Sequence, residues 1–199
     1  MRKIIRLCVG VMLIFISLGF FFYPDFKNWK ISEEVKRVEE EIKIYRSKFD
    51  EEEVRPYKND ITEEELYWEM KEYNQRLVTD GQELVDVWSY EETPIELKDV
   101  NQVIGYIEIP DMKVKLPLLI GASEENLAKG AGILSETSMP VGGENANCVI
   151  AAHRGWKGSP YFQYIENMKN GSIVYLHTLW ETRVYKTVDV KIVDSFDLE

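Results

Sequence analysis

The chain has 199 residues, 45% of them apolar and 12% aromatic, which is enough for one core-bearing domain with accessory segments and argues against global disorder. Its 35 acidic and 24 basic residues leave a net charge of −11, and Arg2, Lys3, Arg6, Lys27 and Lys30 all precede residue 31, beside a single acid, Asp25. The remainder is therefore more acidic still; it repels phosphate and argues against nucleic acid as a partner.

From Leu7 to Tyr23 the chain carries no charge, and Ile4 and Ile5 extend the apolar run to about the length that crosses a bilayer. A cleavable signal would place small residues after this run. Phe20, Phe21, Phe22 and Tyr23 stand there instead, next to Pro24, so residues 7–23 are read as an uncleaved anchor. The basic tail at 1–6 predicts a cytoplasmic N-terminus and an acidic body outside. Two cysteines make no disulfide framework, because Cys8 lies inside the apolar span, apart from Cys148.

Ile31, Val35, Val38, Ile42, Tyr45 and Phe49 then recur at alternating intervals of four and three, one stripe of a helix with Glu and Lys on its other faces. At under three heptads, it predicts a helix packed on the domain or a partner rather than a free coiled coil. Pro56 and Asn59-Asp60 interrupt it. Thr62 and Glu65 have the spacing of a capping box opening a second helix, with Leu66, Met70, Tyr73 and Leu77 on one face and Asp80-Gly81 at its end.

Beyond Val103 the pattern turns to strands. VIGYIEIP and VKLPLLIG predict two strands joined at Pro110-Asp111, and SEENLAKG predicts a short helix capped by Ser123 and stopped by Gly130. A loop from Gly132 to Gly143 leads to the strand NCVIAAH. YFQYIENMKNG reads as a short helix, and SIVYLHTL with TRVYKTVDVKIVD as a hairpin turning at Trp180-Glu181. Short strands with brief helical connections predict a mainly β barrel.

Cys148 and His153 invite comparison with a thiol–imidazole pair. Along an extended strand, residues five apart point to opposite faces, so Cys148 shares a face with Ile150 and Ala152 while His153 takes the other. Apolar neighbours also mark Cys148 as an inert buried thiol. His153, where the strand ends before Arg154-Gly155, occupies the kind of loop mouth where function concentrates. His177 falls on a strand face and reads as structural. The two histidines lie 24 apart without a Cys/Asp pattern and form no zinc ligand set, and the Glu runs at 33–34, 39–41, 51–53 and 63–65 read as solvated helix faces.

IGYIEIP, LPLLIGASEENLAKGAGIL, TSMPVGGENANCVIAAHRG and the YFQYIENMKNGSIVYLHT region, in that order, resemble the sortases, the membrane-anchored cysteine transpeptidases of Gram-positive bacteria. YNQRL followed by Asp86-Val87-Trp88 resembles the N-terminal helix and lid of class C, the pilin-polymerising sortases, with Asp86 and Trp88 as lid residues and Val87 where such lids carry proline. The resemblance implies an incomplete sortase-type β-barrel over 101–199, preceded by a helical stalk and lid over 24–100. It implies that His153 is the catalytic histidine, working with a cysteine in a TLTC-type strand and a later arginine. The thiolate would attack an LPxTG-like sorting signal of a pilin or surface protein. A pilin lysine or a cell-wall precursor would supply the resolving amine. No cofactor or metal is implied. Neither that cysteine nor that arginine has a counterpart before Glu199, so the chain is expected to be the N-terminal part of such an enzyme and inactive alone; the alternative is a non-catalytic remnant or partner-binding membrane protein.

Overall fold

The computed structural model describes residues 2–50, 61–80, 95 and 103–192. Asp86 and Trp88 lie outside the described residues. The first helix, α1, runs unbroken from Arg2 to Asp50 with Pro24 inside it. The apolar run and the following amphipathic stripe are therefore one helix. Its N-terminal part is long and apolar enough to span a membrane, with mean hydropathy 2.5 and none of that stretch buried. The remainder turns its stripe inward: Val35, Val38 and Ile42 are buried around Tyr106, with Val103 and Leu179 against them, and Ile31 packs on the main core. The helix thus packs on its own domain. On its solvent face Arg37 bridges Glu34 and Glu41, pairs that contribute a few tenths of a kcal/mol each.

The second helix, α2, spans Ile61–Asp80, starting one residue before the expected cap at Thr62. Leu66 and Met70 are buried as the periodicity predicts and Tyr73 and Leu77 are half-buried, but the third fully enclosed side chain on this helix is one the expected row left out, the polar Asn74, at 4% exposure.

Among the described residues six strands form one sheet: β1 (Val103–Ile109), β2 (Val114–Ile120), β3 (Ala131–Ile133), β4 (Ile150–Ala151), β5 (Ile173–Thr178) and β6 (Thr182–Lys186), in the order β4-β3-β2-β1-β5-β6. A 3-10 turn over Pro110–Met112, closed by Lys113 in the left-handed region at φ 54°, returns β1 antiparallel onto β2. β1 also pairs with β5, and at Gly105 the β5 backbone comes so close that a Cβ would lie 2.0 Å from the His177 carbonyl oxygen. The helix α3, Glu124–Leu127, is capped as expected: the Ser123 hydroxyl accepts the Asn126 N–H at 3.2 Å. It leads into β3, which runs parallel to β2.

Four expectations change. The expected loop from Gly132 begins inside a strand, because β3 gains hydrogen bonds from β2 and β4 that its Ala-Gly-Ile sequence does not advertise. The expected strand NCVIAAH shortens to Ile150–Ala151, and the expected helix YFQYIENMKNG is a 3-10 turn at Ile165–Asn167. β6 ends at Lys186; Thr187 still exchanges backbone hydrogen bonds with Gly171 and Ser172, both 2.8 Å, and residues 188–192 are assigned to no strand. The sheet is a curled half-barrel whose edge strands, β4 and β6, contribute Ile150, Arg183 and Tyr185 to one cavity of about 460 Å³.

Candidate active site

A chain of contacts running from α2 places β4. The buried Asn74 amide donates to the carbonyls of Met139 (3.0 Å) and Gly142 (3.2 Å), while its Oδ1 accepts the Met139 N–H at 2.7 Å. Lys71 and Arg183 both donate to the Val141 carbonyl, at 2.6 and 2.8 Å. The loop so held pairs with the approach to β4: Ser138 and Asn147 exchange Ser138 N–H to Asn147 O (2.9 Å) and Asn147 N–H to the Ser138 hydroxyl (3.0 Å). Val149 N–H then donates to the Thr137 hydroxyl at 3.2 Å. These bonds satisfy the backbone of an irregular segment that has no sheet partner of its own.

His153 follows two residues after β4. The Phe162 N–H donates to its carbonyl at 2.9 Å, closing the loop 153–162 on itself. Its half-buried ring stacks on Trp156, with centroids 4.5 Å apart and planes at 11°, and meets the edge of Tyr161 at 5.9 Å. Tyr161 is fully buried and donates its hydroxyl to the Ala128 carbonyl at 2.7 Å, so one wall of this cage is fixed from the α3–β3 connection. The Nε2 atom of His153 is buried and has no hydrogen-bond partner among the described residues. Burial pulls the imidazole below its usual pKa of 6.5, with Lys27 adding to that effect and Glu124 opposing it. A partly enclosed imidazole can take up and release a proton, which is what acid–base chemistry requires, and here it does so below its ordinary midpoint.

Cys148 belongs to a different environment. With Ile150 and Ala152 it packs against the main core, as strand parity predicts, and it lines the cavity between the sheet edges beside Met139, Leu176 and Arg183. Burial pushes its thiol up to about 12. The ordinary value is 9.0, so the thiolate fraction at neutral pH is lower here by about a thousandfold. Iodoacetamide at pH 7.5 should therefore alkylate Cys148 in the folded chain about a thousandfold more slowly than in urea; labelling at the rate of a free thiol would refute this placement. Cys8 sits in the apolar part of α1.

His177, on β5, is structural in its contacts: it stacks on Tyr106 at 4.3 Å, and its Nδ1 lies 3.0 Å from the Thr182 hydroxyl. Among the described residues no group of three His, Cys, Asp or Glu is placed to hold a metal. Reasoning from sequence identified His153 but missed its ring neighbours Trp156 and Tyr161 and the nearby cation Lys27. The tryptophan follows His153 by three residues, a signal available in HRGW; nothing in the chain order pointed to Lys27.

The sequence profile of the Sortase domain family matches residues 107–199. Sortase A of Staphylococcus aureus is 35% identical over 104 residues, covering 51% of this chain and 48% of that protein. The chain thus spans about half the length of that relative. Among solved structures, sortase C of Streptococcus pneumoniae superposes with a TM-score of 0.64 at 30% identity, over 84% of this chain and 79% of that one. Sortase C of Clostridium perfringens, solved with the C-terminal cell wall sorting motif, superposes with a TM-score of 0.56 at 31% identity over 79% of each chain.

Proposed function

Because the chain belongs to the sortase family, we propose that it is the membrane-held body of a class C-type cysteine transpeptidase in which His153 is the acid–base residue. The observation that carries this reading is the buried Nε2 of His153 at the end of β4, without a hydrogen-bond partner among the described residues, in the segment that resembles the family's HRG motif. The exposed apolar stretch of α1 supports a single-pass anchor, and the basic residues ahead of it support a cytoplasmic N-terminus.

In the proposed reaction a thiolate attacks the Thr–Gly carbonyl of an LPxTG-like sorting signal. The tetrahedral adduct collapses to a thioester as imidazolium gives its proton to the departing glycine amine. A second amine, from a pilin lysine or a cell-wall precursor, then attacks the thioester. The imidazole takes up the proton that this amine loses, and the thiolate is released. Neither cysteine of residues 1–199 fits the thiolate role: Cys148 is a partly buried thiol pushed up to about 12, and Cys8 is in the apolar span. The thiol is therefore assigned to polypeptide outside these residues.

The test is to join residues 1–199 to the remaining C-terminal segment of a sortase C relative, TLTC-type strand included, and to assay an LPxTG-type peptide. The joined protein should cleave the peptide, whereas residues 1–199 alone, with or without Cys148→Ala, should not. Cleavage by the lone chain that depends on Cys148 would overturn the assignment of the thiol. A second reading, partner binding without catalysis, is favoured by the edges of β4 and β6, which pair with no further strand among the described residues, and by the exposed Val184 and Tyr185 on β6. A joined protein that folds but never cleaves would support it.

A further inference from the structure

The stripe that α1 turns toward the domain begins earlier than its aliphatic members. Pro24, Lys27 and Ile31 precede Val35 on the same helix face, spaced three and four apart. Ile31 packs on the main core, and Pro24 sits directly against the His153 loop: a Cβ on Gly158 would lie 2.5 Å from the Pro24 Cβ. Between them the Lys27 ammonium lies 5.1 Å from the ring centre of Tyr161 and 5.9 Å from that of Trp156, the two rings that flank His153. Both distances are within cation–π range. Lys157, from the loop itself, approaches Trp156 at 5.1 Å.

We propose that Lys27, on the first helical turn beyond the apolar span, is a positioning residue: its ammonium clamps the Trp156–Tyr161 pair around His153 and opposes a positive charge on the imidazole. The inference rests on the reading of His153 as the acid–base residue. A ring that surrenders its proton readily is the stronger acid toward a departing amine, so the juxtamembrane turn of α1 sets the acidity on which the proposed reaction depends. The charged and titratable groups facing this ring, or the rings packed on it, come from three elements. Lys27 on α1 favours the neutral imidazole, Glu124 at the start of α3 favours the charged one, and the loop contributes Lys157 and Tyr161. Lys27 itself is held below its usual pKa of 10.5 by burial and by Lys157, as expected for an ammonium drawn into this cage.

The experiment uses residues 1–199 in nanodiscs with nitrogen-labelled histidine. The chain has two histidines, and the second, His177 on β5, stacks on Tyr106 and feels no charge from Lys27, so it serves as the internal control. Lys27→Met, which keeps the aliphatic stem, and Lys27→Gln should both move the His153 midpoint to higher pH and leave the His177 midpoint in place. Lys27→Arg should keep the wild-type midpoint. An unchanged His153 midpoint in both neutral variants would overturn the proposal, as would equal movement of both histidines or a shift in Lys27→Arg matching that in Lys27→Met. The readout needs no turnover, so failure of the transpeptidase reading would appear separately, as absent cleavage by the joined protein.

Discussion

In the joined protein, His153→Ala is expected to lower kcat/KM for an LPxTG-type peptide by about 10²- to 10⁴-fold, the usual worth of a positioned acid–base group. The expectation combines the position of His153 at the end of β4 with its free, buried Nε2. The pH profile gives a second check. The reaction needs thiolate and imidazolium together, and an ordinary thiol titrates near 8.5 whereas burial holds His153 below 6.5. With imidazole the more acidic partner, the reactive pair accumulates as pH rises to the imidazole pKa and is then level until the thiol has titrated. The acid-side inflection should therefore fall below 6.5 and be absent from the residual activity of His153→Ala. A variant that keeps more than about a third of wild-type kcat/KM would remove His153 from the acid–base role.

Asn74→Ala is expected to destabilise the chain by about 2 to 4 kcal/mol, read as a fall in the urea midpoint or a drop in Tm of about 5 to 15 °C. The substitution removes two donated bonds and one accepted bond at a fully enclosed site and leaves the Met139 N–H and the Met139 and Gly142 carbonyls to find other partners. Unsatisfied buried groups of this kind cost more than the bonds themselves contribute. Asn74→Asp separates hydrogen bonding from packing. It retains the acceptor for Met139 but turns a carboxylate toward two carbonyls, so it should also destabilise at neutral pH and recover part of the loss as acid protonates it. A loss below about 1 kcal/mol in Asn74→Ala would mean that α2 does not clamp this loop. Because the loop carries Ser138 and Thr137, which hold the approach to β4, loosening it should also displace His153.

Much of the architecture can be read along the chain because it is local. The uncharged run to Tyr23, the aliphatic stripe of α1, the strands β1 and β2 with their Pro110 turn, and the Ser123 cap each depend on residues within a few positions of one another. His153 is legible as a candidate in the same way, at the end of an apolar run and inside the HRG motif. Its parity relation to Cys148 followed from strand alternation, and the core contacts of Cys148, Ile150 and Ala152 agree with it.

Local pattern is silent where a partner lies far away in sequence. Ala131–Ile133 became a strand because β2 and β4 supply its hydrogen bonds, a condition three small and apolar residues do not encode. Asn74 interrupts an apolar row, and a hydrophobic pattern counts it as a defect; the carbonyls of a loop some 65 residues away make it a necessity. Lys27 reads as an ordinary basic residue flanking an apolar span until the fold brings α1 against the loop after β4. What the sequence by itself determined is which segments are apolar, where helices begin and strands turn, and which histidine stands at a loop mouth. Only the tertiary structure decided which polar groups are enclosed and which charges face the imidazole, because those energies arise between surfaces that folding alone brings into contact.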